Sequence, residues 1–522
     1  MLGLCAALAG CSRTEARPTG PPSPPPPASG APGAILFFSA DLHGYLGPCG
    51  CSDNMRGGLP RAAAQVHEAA RGALPVLYID GGDGLFGAPT LTPEQIPQEE
   101  RKARALAEGM KRMGLGVRAT GELDDTRGAD FRRSLGLPEL APGGEKVLDA
   151  GARKLGVVSA SDEAGLRQAA ARARAQGASF VVGLFHATLP EAQRAVATPG
   201  SGVDLVLATH TASEFEGENN TLTRDGVPVV ALQDKGRSLL RVDLAYGSKP
   251  GPFTLQKTAE ESEKEAASIG RRLEQLDTEI NLPGIDPQLK ALKQQKRAEL
   301  VTRRQTLLTA PVAAVGDTDS FTVRFIPLES SLPADPETQT VVSAYDGDVG
   351  KMNLAWAREH GQDCPAAEKG QAVFVGSAAC ADCHAEAFPV WEGSKHHEAW
   401  KTLEGVGKQY HLNCTGCHVT GWQKPGGVCR LDKVEGRESV GCESCHGPGS
   451  LHVEDPTASN ITARPGQAVC VTCHNRENSP HFDFALYLPK ILGPGHDRAT
   501  GGQPTPGKAA PSQHKKPGRP RG

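Results

Sequence analysis

The sequence predicts a multidomain protein: a layered α/β domain, a helical hairpin spacer, and a mostly α and irregular C-terminal domain. Three observations predict it. The chain of 522 residues is too long for one ordinary domain. Its first half alternates short apolar runs with Ala- and Arg-rich stretches of helical pattern. Its last third repeats one cysteine–histidine unit four times and holds ten of the 14 cysteines.

Residues 1–11 are apolar and close on Leu8-Ala9-Gly10-Cys11, which matches the lipobox of bacterial lipoproteins and makes Cys11 the candidate lipidation site. Residues 12–33 are dominated by Pro, Gly, Ser and Ala, too poor in apolar side chains to fold, and read as a disordered tether. Residues 34–250 form the predicted α/β domain. Its strand candidates are Ala34–Phe38, Val76–Ile79, Lys154–Val158, Phe180–Leu184, Asp204–Leu207 and Pro228–Leu232. Helical patterns separate several of them, as at Gly58–Arg71 and Ala164–Gln176, and this alternation specifies layers. Residues 251–362 are read as a helical spacer. Apolar residues recur there at helical spacing, broken at Asn281-Leu-Pro-Gly284, with one more helix over 336–360. Residues 363–496 hold the cysteine–histidine repeats, and 497–522 are a basic Gly/Pro-rich tail expected to be disordered.

The repeated unit is Cys-x-x-Cys-His, at Cys380–Cys383–His384, Cys414–Cys417–His418, Cys442–Cys445–His446 and Cys470–Cys473–His474. It is the attachment signal for c-type haem. Two thiols one turn apart add to the two vinyl groups, and the following imidazole binds iron. Paired Cys-x-x-Cys knuckles also hold zinc, but zinc does not require His directly after every second Cys. Four c-type haems are therefore expected. The motifs start 34, 28 and 28 residues apart, so the macrocycles must supply much of the core and lie close together. None of the five methionines falls within the segment, so bis-His, low-potential ligation is expected. His396, His397, His411, His452, His481 and His496 are surplus histidines available for it.

Trp391-x-x-Ser394-x-His396-x-x-Ala399, Cys417-His-Val-Thr-Gly421, Gly441-Cys-Glu-Ser-Cys-His-Gly-Pro-Gly449 with His452, and Ser479-Pro480-x-Phe482-Asp-Phe484 resemble the tetrahaem cytochromes related to those of ammonia-oxidising bacteria. The resemblance spans about residues 370–496. It implies His396, His452 and His496 as distal ligands and one haem without a strong sixth ligand, open to a small molecule such as nitric oxide or oxygen.

In the α/β domain, Asp41-x-His43 follows the first strand candidate, Gly82-Asp83 the next, His186 a third and His210 a fourth. Strand ends are where open α/β sheets place their sites. With Gly57-Gly58-Leu-Pro-Arg61 and Val76-Leu-Tyr-Ile-Asp-Gly-Gly-Asp83, the pattern is similar to calcineurin-like metallophosphoesterases of the 5′-nucleotidase branch. That resemblance implies a divalent metal pair (Mn, Zn or Fe) held by Asp41, His43, Asp83, Glu122, His186 and His210, generating a hydroxide nucleophile. Two departures stand out. The family's Gly-Asn-His-Glu box reads Gly121-Glu122-Leu123-Asp124, without the catalytic His, and its Gly-His-x-His reads Ala208-Thr209-His210-Thr-Ala212. Cys49-Gly50-Cys51 lies in the adjoining loop as a redox pair, a soft metal ligand or a disulfide, and Cys364 and Cys429 are available to pair with each other.

The function expected is periplasmic electron transfer through four covalent haems, lipid-anchored at Cys11, with periplasmic or membrane redox partners. The net charge of −4 gives no reason to expect nucleic acid. The alternatives are a metal-dependent phosphoesterase carrying a redox module, and a haem enzyme acting on a small nitrogen or sulfur compound.

Overall fold

The computed structural model describes residues 33–49, 55–209, 220–221, 226–256, 259–281, 286–309, 317–475, 478–479 and 482–496. The lipobox with Cys11, the Pro-rich tether, Cys51, His210, His481 and the basic tail lie outside the described residues.

Two sheets lie face to face. The first has the order Lys249–Leu255, Thr318–Pro327, Ser238–Ala245, Gly33–Ser39, Val76–Asp80, Leu115–Ala119, Glu139–Leu140. The second runs Asn220–Thr221, Val229–Ala231, Leu205–Ala208, Phe180–Phe185, Arg153–Ala160, Glu145–Ala150. Strand periodicity explains the layering. Ala34, Leu36 and Phe38 point between the sheets, where they meet Leu155, Val157, Phe180, Val182 and Leu207. The alternate residues Ile35 and Phe37 point outward onto the helices α1 (Leu59–Ala70), α2 (Gln95–Arg112) and, further along the chain, α7 (Pro336–His360). On the second sheet Val158, Val181 and Val206 face α3 (Glu163–Ala175) and α4 (Leu189–Ala195). The result is four layers, α/β/β/α, with parallel pairing through the centre of each sheet.

The expected spacer over 251–362 is corrected by the sheet. Thr318–Pro327 pairs with Ser238–Ala245 along eight residues, and Lys249–Leu255 adds beyond it as the edge strand. Phe321 and Val323 alternate into the core between the sheets, a period-two signal masked in the sequence by the long helical patterns on either side. Only α5 (Ala259–Ile280) and α6 (Pro287–Thr309) form the hairpin, joined by Lys293–Glu279 and Arg297–Asp277 ion pairs.

The helix α7 covers the first sheet and also meets the C-terminal region, where its Asn353 donates to the Tyr410 carbonyl. Its N-cap, Asp335, accepts from the Thr338 N–H at 2.8 Å, and Pro336 occupies the first turn. The same carboxylate meets His67 Nδ1 of α1 at 3.0 Å. Burial opposes protonation of His67, but the Arg112 carbonyl and Asp335 outweigh it and raise its pKa. A raised histidine pKa stabilises the fold fully below about pH 6.5, and the contribution is lost as pH rises through the folded value. The unfolding free energy from urea titration should therefore fall between pH 6 and pH 8 by less than about 1 kcal/mol, the scale of a partly exposed pair. In His67→Gln that fall should be absent.

Beyond α7 the C-terminal region is short helices and turns stapled by a Cys364–Cys429 disulfide, 65 residues apart in sequence. This realises the pairing available to those two cysteines. Replacing both by serine should lower the stability of this region by about 2–4 kcal/mol, read from its denaturant midpoint.

Candidate functional site

Each Cys-x-x-Cys-His motif lies on a short helical turn, which brings its two thiols to one side. The first follows a 3-10 turn at Ser377–Cys380, and the second lies on α8 (Leu412–His418). The third occupies a helix at Cys442–His446, and the fourth begins at the end of the helix Gln467–Cys470. Among the described residues none of the eight motif cysteines is held in a disulfide, as haem attachment requires.

The histidines test whether haem iron fits. With metal–nitrogen bonds of about 2 Å, two imidazoles on opposite sides of one ion have ring centres roughly 6 Å apart. His384 and His452 have ring centroids 6.2 Å apart with planes at 28°. His396 and His474 are 6.1 Å apart at 48°. Both spacings suit an ion shared between the rings, so these residues fit the group. They pair the first motif with His452 and the fourth with His396. Phe482 stacks on His474 at 4.8 Å and fixes its ring.

Carbonyls orient the remaining rings. His418 Nδ1 lies 2.6 Å from the Ala399 carbonyl, His446 Nδ1 2.8 Å from that of Thr462, and His452 Nδ1 2.9 Å from that of Thr457. With Nδ1–H donating to oxygen, Nε2 is left as the lone pair for iron. His496 follows a turn at Gly493–Gly495 that packs on Val390 and Ala387, beside the first motif. His397 is exposed and meets Trp391 edge-on at 4.5 Å. His411 is buried and turned toward α7, edge-on to Tyr345 and 3.9 Å from the Asp346 carboxylate.

Thiol contacts give the motifs an order. Cys380 is hydrogen-bonded to Cys442, and Cys473 to Cys417. Cys445 lies within electrostatic reach of Cys470 and Cys473, where the third and fourth motif helices meet. The motifs therefore adjoin in the sequence first, third, fourth, second.

The second site gathers at strand ends of the α/β domain, as its sequence pattern requires. Asp41, His43 and Asp83 have φ of 51°, 47° and 51°, a left-handed conformation that concentrates at functional loops. Backbone bonds from Asp41, His43 and Gly44 to the carbonyls of Gly82, Asp83 and Gly84 zip their two loops together. Asp83 lies 3.7 Å from His186, and His43 lies 3.9 Å from Asp234. Burial raises the Asp83 pKa. Glu122 is exposed on the wall of a cavity of about 500 Å³ lined also by Asp162, Glu163, His186, Glu191 and Arg194.

Asp124, which stands in the last place of the altered Gly-Glu-Leu-Asp box, does something else. It is fully buried and accepts from the N–H groups of Asp83, Gly84, Leu85 and Gly121 at 2.9–3.0 Å. Arg118, also fully buried, meets it at 2.7 Å and meets Asp80 at 3.4 Å. Burial disfavours the Asp124 anion, but Arg118 and these N–H groups outweigh that and lower its pKa. Burial pushes Asp80 up to about 6. The box thus acts as a clasp for the 81–85 loop. Among the described residues no three His, Cys, Asp or Glu side chains converge as a group able to hold a metal ion. His210, one of the six candidate ligands, lies outside the described residues.

Comparison with known proteins separates the two regions. Residues 379–447 match the cytochrome c554 and c-prime family. The match implies c-type haem in this cytochrome region. Cytochrome c-554 of Nitrosomonas europaea is 32% identical, over 21% of this chain and 61% of the relative. The chain thus spans about three-fifths of the length of that relative. Solved structures similar to the chain include the sulfate thiohydrolase SoxB of Thermus thermophilus in complex with glycerol, at 16% identity and TM-score 0.38, covering 66% of this chain and 64% of that one. The NAD nucleotidase of Haemophilus influenzae is 14% identical with TM-score 0.40, over 78% and 74% of the two chains. A calcineurin-like phosphoesterase of Bacillus subtilis is 15% identical with TM-score 0.33, over 43% and 88%.

The proximal histidines and the α/β architecture were named by the sequence. Missing from it were the partners that organise both sites. Arg118 carried one available signal, a lone charge inside the apolar pattern of Leu115–Ala119.

Proposed function

We propose that this chain is a four-haem electron carrier on the periplasmic side of a bacterial membrane, tethered by a lipid at Cys11. The observation that carries it is the 6.1–6.2 Å spacing of His384 with His452 and of His396 with His474. Haem iron supplies reversible one-electron exchange when bound. The eight motif thiols would attach the groups, and His384, His418, His446 and His474 would each hold an iron. His452 would be a second ligand for the first centre, His396 for the fourth and His496 for another. Two strong imidazole ligands favour a saturated, low-potential centre suited to transfer. Contact between successive motifs in the order first, third, fourth, second supports a continuous chain rather than four separate chemistries.

The site's partners are redox proteins of the periplasm or the membrane. Export is supported by the lipobox and by the chemistry of haem attachment. Among the described residues no helix is long and apolar enough to cross a membrane. A phosphoesterase reading is not favoured, because the altered Gly121-Glu122-Leu123-Asp124 box lacks the family's histidine and its Asp124 is committed to the clasp. The deciding experiment is a haem and iron assay with a spectroelectrochemical titration of the protein matured with its haems. Four haems per chain, all reversibly reduced, are expected. Two irons per chain, or haems that do not cycle, would overturn the proposal.

A further inference from the structure

The second motif is bound to the α/β domain by a buried polar contact that nothing in electron transfer as such requires. Gln98 of α2 is fully buried, and its side-chain oxygen accepts from the Leu412 N–H at 3.1 Å, the first residue of α8. The same oxygen accepts from Asn353 of α7 at 2.8 Å, and Asn353 also donates to the Tyr410 carbonyl at 2.7 Å. Asn353 is itself buried. Around this knot stand Tyr345, within electrostatic reach of Cys414, and the His411–Asp346 and Lys408–Asp346 pairs. On its other side, Gln98 donates to Glu99, which pairs with Lys102 at 2.6 Å. The Lys102 side chain in turn packs on Gly44, next to His43, where an added Cβ would lie 3.1 Å from its Cε.

We propose that Gln98 is a positioning residue through which the α/β domain sets the potential of the haem at Cys414, Cys417 and His418, and of no other haem. The inference rests on the four-haem reading and adds to it a fixed, built-in partner for one centre. A carbonyl oxygen aimed at the start of α8 places partial negative charge beside that motif. In a buried setting such a dipole acts far more strongly than in water. The first, third and fourth motifs lack this Gln98 contact, because their helices begin at Ser377, Cys442 and Gln467, away from α2.

The test uses the full holo-protein. Redox titration of the wild type resolves four components, and the one belonging to His418 is identified because His418→Met moves it upward by thioether ligation. Gln98→Ala, which deletes the oxygen, should raise that component. Gln98→Glu, which keeps an acceptor for Leu412 and Asn353 but adds a charge, should lower it. The other three should stay in place in both variants. Should neither variant assemble, Gln98→Asn, which keeps the amide but withdraws its oxygen from the Leu412 N–H, should raise the same component. The inference is overturned if the His418 component does not move, or if all four move together. A haem count other than four overturns the underlying reading instead, so the two failures are distinguishable.

Discussion

Replacing His396 by alanine should convert one low-spin haem to the high-spin state and leave the spin states of the other centres unchanged. His396 is the ring facing His474 at 6.1 Å, and it is held in place from its own backbone, whose carbonyl accepts from Val440 N–H at 3.1 Å. Removing it takes the sixth ligand from the fourth motif's centre while leaving the covalent attachment at Cys470 and Cys473 intact. His452→Ala should do the same to the first motif's centre, and the double variant should convert two haems because the rings serve different irons. Substitution by methionine should instead keep a six-coordinate centre and raise its potential. The neighbouring His397→Ala is the control. That ring is exposed and packs on Trp391, so its loss should leave all four spin states unchanged. Electron paramagnetic resonance of the ferric protein reads these outcomes directly. A His396→Ala protein with unchanged spin states would remove the ring spacing as evidence for axial ligation.

Arg118→Met should cost the α/β domain about 3–5 kcal/mol, the usual consequence of taking one partner from a buried ion pair. The guanidinium is fully buried between Asp80 and Asp124, and its removal strands two carboxylates away from water. The loss should be local in its first effect. Hydrogen exchange at the Asp83, Gly84 and Leu85 amides should accelerate, because Asp124 accepts all three and is held by Arg118. Protonating the stranded carboxylates should offset part of the loss, so the variant should be less handicapped near pH 4 than near pH 7. A destabilisation under about 1 kcal/mol, with unchanged exchange at 83–85, would show that packing and not charge holds the clasp.

Local pattern carried the sequence reading wherever one residue type or one period determines the outcome. The Cys-x-x-Cys-His spacing is such a case, and so is the alternation of Ala34, Leu36 and Phe38 with Ile35 and Phe37. The helix over 336–360 is another, since its Asp335-Pro336 start is a local capping signal. Long-range pairing was not legible. Thr318–Pro327 joins a strand some eighty residues earlier, and no local feature states its partner. In the same way, the resemblance names His452 and His396 but not the motif histidine that each ring faces, His384 and His474 respectively. The strand-end residues show the limit in the other direction. The sequence placed Asp41, His43, Asp83 and His186 at one edge, but not the 3.7 Å approach of His186 to Asp83 or the 3.9 Å approach of His43 to Asp234. Asp124, in the altered box, is drawn inward by Arg118 and four N–H groups, a pairing that the lone charge in Leu115–Ala119 signals without naming its partner.

The Cys364–Cys429 bridge has a consequence for how the protein is made. Ten cysteines lie between 364 and 473, and eight of them must meet haem as thiols while two must meet each other. Biogenesis must therefore discriminate, in one compartment, between cysteines to be kept reduced and cysteines to be oxidised. A chain oxidised too early can trap Cys414 with Cys417 and lose a haem permanently. The finished protein carries a record of this order: thiol reductants open the Cys364–Cys429 link and leave thioethers closed, so mass analysis before and after reduction should find that bridge in every molecule that holds four haems.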